Sequence, residues 1–199
     1  MIESLRALLL DYSQADGPAK REEVEKKIWD QFGVERSVLV VDMSGFSALT
    51  RRHGLVHFLS MVRRMQETVR PIIHDHTGSV VKFEADNAFA TFPDPESALR
   101  AAIEMNKACH EDNRDYSDEY DIELSCGIDH GRILLLEGKD FFGDAVNTAS
   151  KLGEDLAVQG EILISKSSFA AITSELGTTE KEVSFSISGL PFEAVSIQP

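Results

Sequence analysis

Two strongly β-forming runs each end on an aspartate. Ser37-Val38-Leu39-Val40-Val41 leads into Asp42-Met43-Ser44-Gly45-Phe46, and Val80-Val81-Lys82-Phe83-Glu84-Ala85 leads into Asp86-Asn87. A carboxylate at the tip of a buried strand is costly unless something cationic meets it, so two of them suggest a shared pair of metal ions. The plainer alternative is that both aspartates open turns.

A chain of 199 residues accommodates one domain of ordinary size and a short extension. Its net charge of -14 argues against nucleic acid or an anionic membrane as the main partner, since both are met by Lys and Arg. No apolar stretch is long enough to span a bilayer, and Met1-Ile2-Glu3-Ser4 starts with an acid where a secretory signal carries positive charge. A cytoplasmic location is expected. Cys109 and Cys126 form neither a C-x-x-C pair nor a zinc pattern, and Cys126 falls at an apolar alternation position, so both read as buried, reduced thiols.

Residues 1–36 read as a helical extension and 37–199 as the main domain. Leu5, Leu8 and Leu9 give one short apolar face, Asp16-Gly17-Pro18 punctuates, and Val24, Ile28 and Phe32 form a narrow stripe that either packs on the domain or pairs with a second copy. Apolar residues at helical spacing predict a helix over 54–76, loosened near Pro71. Strands are expected over 79–84 and 88–92 with a hairpin turn at Asp86-Asn87, then a helix over 96–110 and a solvated acidic loop over 110–121. Two further strands, 122–128 and 133–136, are expected around Asp129-His130-Gly131, then a helix over 145–156 and a strand, short helix and two strands to the end. The resulting fold class is α+β: a ferredoxin-like βαββαβ core with N-terminal helices and a C-terminal α/β extension.

Three segments resemble the motifs of the class III nucleotidyl cyclases, enzymes that convert a nucleoside triphosphate to a 3′,5′-cyclic nucleotide and pyrophosphate. Asp42-Met43-Ser44-Gly45-Phe46-Ser47 is similar to the family's first metal motif, Lys82-Phe83-Glu84-Ala85-Asp86 to its K-x-x-G-D element, and Asp140 to Leu152 to D-x-x-G-x-x-V-N-x-A-x-R. Each is weak alone; their order and spacing together are specific. The resemblance implies that Asp42 and Asp86, with the Met43 carbonyl, hold two Mg2+ or Mn2+ ions per site. It further implies that Ser44, Gly45 and Phe46 form the triphosphate loop, that Lys82 and Asp140 contact the base, that Asn147 orients the ribose and that Lys151 stabilises transition-state charge. In the family one site draws its metal aspartates from one subunit and the remaining residues from its partner, so a homodimer is implied.

Hydrogen-bond polarity bears on the base. Adenine offers an acceptor at N1 and a donor at N6; Lys82 can only donate and ionised Asp140 can only accept, so the pair favours ATP. Asn147 and Lys151, four apart on an expected helix, share one face.

Several positions depart from the family pattern. Lys151 replaces the usual arginine, keeping the charge but losing the planar fork. Ala85 stands where glycine is usual, Ser125 lies near a position where some members carry a phosphate-binding arginine, and Ser188-Gly189-Leu190-Pro191 replaces a stretch that often offers a lysine. The link from Gly131 to Asp140 is short. The expected function is therefore an adenylate cyclase acting in intracellular signalling, with a weakly active or inactive nucleotide-binding regulatory domain as the alternative. His74-Asp75-His76 and Arg51-Arg52-His53 are expected to be solvated helix positions rather than sites.

Overall fold

The computed structural model describes residues 2–187 and 190–198, and of residues 2, 46–49, 187 and 190 the main chain alone. Ser188 and Gly189 thus lie outside the described residues.

Chain order begins with two helices, α1 (Ile2–Gln14) and α2 (Pro18–Phe32), joined at Gly17, whose φ of 90° suits glycine. The stripe Val24, Ile28 and Phe32 packs with Leu5 and with Leu136 of the domain, so the hairpin folds back on its own chain. Arg132 also stacks over the Trp29 ring at 4.3 Å. Strand β1 (Gly33–Met43) follows α2 with no linker and begins four residues before the apolar run that announced it.

From β1 the chain passes through α3 (Phe46–His53), α4 (Leu55–Asp75), β2 (Ser79–Glu84), β3 (Asn87–Phe92), α5 (Pro95–Asn113) and β4 (Leu124–Leu136). Helix α4 runs on through the exposed Pro71. Asp94 caps α5, its Oδ1 accepting the Ser97 amide at 2.8 Å, with Pro95 at the first helical position. In space the strands lie in the order β2-β3-β1-β4, all antiparallel, which is the expected ferredoxin-like core. One expectation fails here: residues 124–136 form a single strand rather than two strands about Asp129-His130-Gly131. Residues 124–134 are paired to the whole of β1, from Gly33↔Leu134 to Met43↔Leu124, and the ladder holds the glycine-containing stretch extended. The hairpin partner is instead β5 (Asp140–Phe142), reached by a turn over residues 137–139.

Helix α6 (Asp144–Ser150) continues as a π-helical segment (Lys151–Leu156), and β6 (Ile162–Ser165) then pairs parallel to β4. The short α7 (Lys166–Phe169), β7 (Thr179–Ile187) and β8 (Leu190–Gln198) complete the sheet, extending its order through β6-β8-β7.

Alternation along β1 divides its side chains between two cores. Leu39, Val41 and Met43 face α4 and α5 with Phe58, Met65, Leu99 and Met105; Val38 and Val40 face the other way, against Phe89, Ile133, Phe141, Ala145 and Ala149. Asp42 belongs by alternation to the second face, which a single short helix covers. Among the described residues no helix is long and apolar enough to cross a membrane. Cys109 and Cys126 are buried free thiols, and burial pushes the Cys109 thiol up to about 12.

Candidate active site

Strand β1 delivers Asp42 to its C-terminal end, where it pairs with Asn87 of β3 on one side and Ser125 of β4 on the other. Asp86 precedes Asn87 in the β2–β3 turn, so the two aspartates of the opening motifs meet at one end of the sheet. Their proximity is electrostatic as well as topological. Burial, then the Asp86 charge, then that of Glu154 push the half-buried Asp42 carboxyl up to about 6 from its usual 3.8. Asp86 is also raised, chiefly by burial and against a hydrogen bond from its own backbone. Ala85 beside it has φ 50°, in the left-handed region. That explains why a glycine is the usual residue there.

After Met43 the chain turns through Ser44 and Gly45, and Gly45 takes φ 89° as it enters α3. The Ser44 amide donates to the carbonyl of Glu123, just before β4, at 2.9 Å, which ties the loop to that strand, and the first-turn amides of α3 have no partner within the helix. The side chain of Phe46 lies outside the described residues. At the far end of α3, His53 Nδ1 lies 3.9 Å from the Glu119 carboxylate, and His57 Nε2 lies 2.9 Å from the Glu119 carbonyl.

Lys82 and Asp140 come together from β2 and β5: the Lys82 ammonium lies 3.2 Å from Asp140 and 3.0 Å from Glu84. Burial pulls the Lys82 pKa down, but hydrogen bonds to Glu84 and Asp140 outweigh it and the net shift is upward. Asp140 Oδ1 also accepts the Phe141 amide at 3.0 Å, which fixes the carboxylate. Lys82, Phe89 and Val40 form one rung across three strands, and Glu84, Asn87 and Asp42 form the next but one, beyond Phe83, Ala88 and Val41, so both groups share one face of the sheet.

Asn147 and Lys151 lie exposed on α6 and its π-helical continuation. Lys151 Nζ bonds the Asp155 carboxylate at 2.5 Å, which raises its pKa. What seats this element is a glycine–glycine contact. A Cβ on Gly127 of β4 would stand 2.0 Å from the Ala149 carbonyl oxygen and 2.3 Å from the Gly153 amide nitrogen; one on Gly153 would stand 2.7 Å from the Gly127 nitrogen and 2.9 Å from the Val40 carbonyl oxygen. Only hydrogen fits at either position. A π-helical turn inside a helix commonly marks a functional region, and here it carries Lys151 and Glu154.

Two residues here were not singled out in the sequence. Asn87 Nδ2 donates to Glu154 Oε2 at 3.3 Å, while Asn87 Oδ1 is buried and has no hydrogen-bond partner among the described residues. Glu154 continues the stripe Asn147, Lys151 at i+7, and that helical spacing was the signal for it. Asn87 carried no such signal beyond its place next to Asp86. Elsewhere His76 Nε2 pairs with Glu104 at 2.7 Å and His74 is exposed, so the His74-Asp75-His76 segment is accounted for without a ligand.

The donor set fits a hard divalent cation. Asp42, Asp86 and the Met43 carbonyl are all oxygen donors, and the upward pressure on Asp42 is what a nearby cation relieves. Among the described residues no three His, Cys, Asp or Glu side chains form a cage of their own. Magnesium characteristically binds through one or two carboxylates together with substrate phosphates.

Comparison with known proteins agrees with this geometry. The chain spans only about a fifth to a third of the length of the curated relatives it matches. It is 31% identical over 129 residues to "Putative adenylate cyclase 3" of Rhizobium meliloti (strain 1021), covering 65% of this chain and 22% of that protein. An uncharacterized protein of Mycobacterium tuberculosis is 30% identical over 122 residues, covering 61% of this chain and 30% of the other. The crystal structure of an adenylate/guanylate cyclase/hydrolase from Silicibacter pomeroyi superposes with a TM-score of 0.74 at 27% identity, over 84% of this chain and 98% of that one. The adenylyl cyclase CyaB from P. aeruginosa shares the fold, with a TM-score of 0.69 at 19% identity over 84% and 96% of the two chains. Residues 33–191 match the family described as the adenylate and guanylate cyclase catalytic domain, and the chain belongs to that family.

Proposed function

We propose that the chain is an adenylate cyclase of intracellular signalling, which converts ATP to 3′,5′-cyclic AMP and pyrophosphate at sites shared between two copies. The observation that carries the choice of base is the Lys82–Asp140 ion pair at 3.2 Å. A fixed donor beside a fixed acceptor matches N1 and N6 of adenine and opposes the corresponding edge of guanine.

Asp42, Asp86 and the Met43 carbonyl would hold two Mg2+ or Mn2+ ions, as divalent-metal dependence is general in this family. Such ions, when bound, acidify the ribose 3′-hydroxyl and neutralise charge on the transferring phosphoryl group and the departing pyrophosphate. The amides of Gly45 and the following residues at the start of α3 face the triphosphate, Asn147 orients the ribose, and Lys151 offers positive charge to the α-phosphoryl group. Exposed Asn147 and Lys151, with Phe142 at 48% exposure beside Asp140, leave a face of this kind for a second subunit to cover.

The test is product formation. Purified chain with Mn-ATP is expected to yield cyclic AMP, to yield far less cyclic GMP from Mn-GTP, and to lose activity in Asp42→Ala. The Lys151–Asp155 ion pair favours a second reading, a nucleotide-binding regulatory domain, because the cation expected at the phosphoryl group is already engaged. ATP binding without product supports that reading and overturns the first.

A further inference from the structure

Asn87 is the residue of this region that the proposed chemistry leaves unexplained. It stands directly across the ladder from Asp42 and next in sequence to Asp86, and cross-strand partners present their side chains on the same face. Its amide is oriented by a contact that admits one solution. An ionised Glu154 can only accept, so Asn87 must turn its NH2 group toward Oε2, as the 3.3 Å contact records, and its carbonyl oxygen must face away. That oxygen is buried with no donor for it among the described residues. A buried acceptor without a partner costs free energy unless something supplies positive charge to it.

Three anionic groups surround the position: Asp42, Asp86 and Glu154 all bear on the same end of β1, and both Asp86 and Glu154 disfavour the charge on Asp42. A neutral oxygen in such surroundings adds coordination without adding repulsion. Hard divalent cations accept amide carbonyl oxygens alongside carboxylates, and a bare cation of this class is much smaller than the water molecule from which the oxygen is shielded.

We propose that Asn87 Oδ1 is an additional side-chain ligand of the divalent cation held by Asp42 and Asp86, and that Glu154, on the π-helical segment, is a positioning residue that fixes the Asn87 amide with its oxygen toward the ion. This rests on the metal-dependent reading above and extends it to two residues. Because Glu154 follows Lys151 by three positions, the segment that presents cationic charge to the phosphoryl group of one site of the dimer holds the metal ligand of the other site in place. A shift of that segment therefore alters both together.

The test is Mn2+ binding to the full chain without nucleotide, read from loss of the electron paramagnetic resonance signal of free Mn2+. Asn87→Ala is expected to weaken binding about tenfold or more, and Asn87→Asp, which retains an oxygen in the same place, to keep or strengthen it. Glu154→Ala is expected to weaken binding severalfold. Glu154→Gln, whose amide oxygen can still accept from Asn87 Nδ2, should stay within about twofold of the unaltered chain. Melting temperatures without metal separate these effects from misfolding, and the Asn87→Asp result stands even where Asn87→Ala is destabilised. Unchanged affinity in Asn87→Ala beside lost affinity in Asp42→Ala overturns the assignment of Asn87 alone. Equal losses in Glu154→Gln and Glu154→Ala overturn the positioning role, since charge rather than orientation would then be the cause. Absence of Mn2+ binding by the unaltered chain overturns this inference together with the metal-dependent reading beneath it.

Discussion

Single residues at the end of β1 work against the stability of the fold. Ala85 holds φ 50°, which an L-residue with a Cβ adopts at a cost of about 1–2 kcal/mol. Ala85→Gly is expected to stabilise the chain by about 0.5–1 kcal/mol in urea denaturation, the relief being partly offset by the greater entropy of unfolded glycine. Asp42 acts through protons. Its folded pKa of about 6 lies above the usual 3.8, so folding favours the neutral form. That contribution is complete below the unfolded pKa and is lost as pH rises through the folded one. Without metal, the stability of the unaltered chain relative to Asp42→Asn is expected to fall by about 1 kcal/mol between pH 4 and pH 7, after allowance for solvent screening of a half-exposed carboxyl. Denaturation across that range, in chelator, checks it; a flat difference would show that the carboxyl is not pressed by its neighbours. These effects were only half legible in the sequence. The aspartates stood out because apolar runs led to them, but the left-handed turn at Ala85 carried no glycine to mark it.

At the scale of elements, periodicity foretold α4, α5 and the central strand because these bury continuous faces. It misread β4, where the polar stretch Asp129-His130-Gly131 looks like a turn. Ladder pairing along the whole of β1 overrides that local preference, and Ser37 Oγ meets His130 Nδ1 across it at 2.9 Å. The π-helical segment was invisible for a related reason: what fixes it is the approach of Gly153 to Gly127, residues 26 positions apart in numbering but touching in space. Gly127→Ala is expected to cost about 2 kcal/mol or more and to abolish product formation, since a Cβ there meets backbone that cannot yield. Urea denaturation with the cyclic AMP assay checks both halves, and a variant of unaltered stability would contradict the close contact.

For the whole molecule, the expectation concerns how many chains make one site. Asp42→Ala and Asn147→Ala are each expected to be inactive alone. Mixed in equal amounts, they should recover about a quarter of the unaltered activity, because half of randomly reassorted dimers are hybrids and each hybrid has one of its two sites intact. No recovery, with subunit exchange demonstrated independently, would mean that each site is built within one chain. The sequence suggested this division only through resemblance, for nothing in a linear pattern says which copy supplies which side chain.

The direct passage from α2 into β1 at Gly33 has a mechanical consequence. The N-terminal helices and Asp42 occupy opposite ends of one eleven-residue strand, roughly 35 Å of hydrogen-bonded backbone with no joint between them. The hairpin is accordingly a handle welded to a bar. It cannot swivel while the carboxylate stays still, and sliding the bar by one residue would turn Asp42 to the opposite side of the sheet.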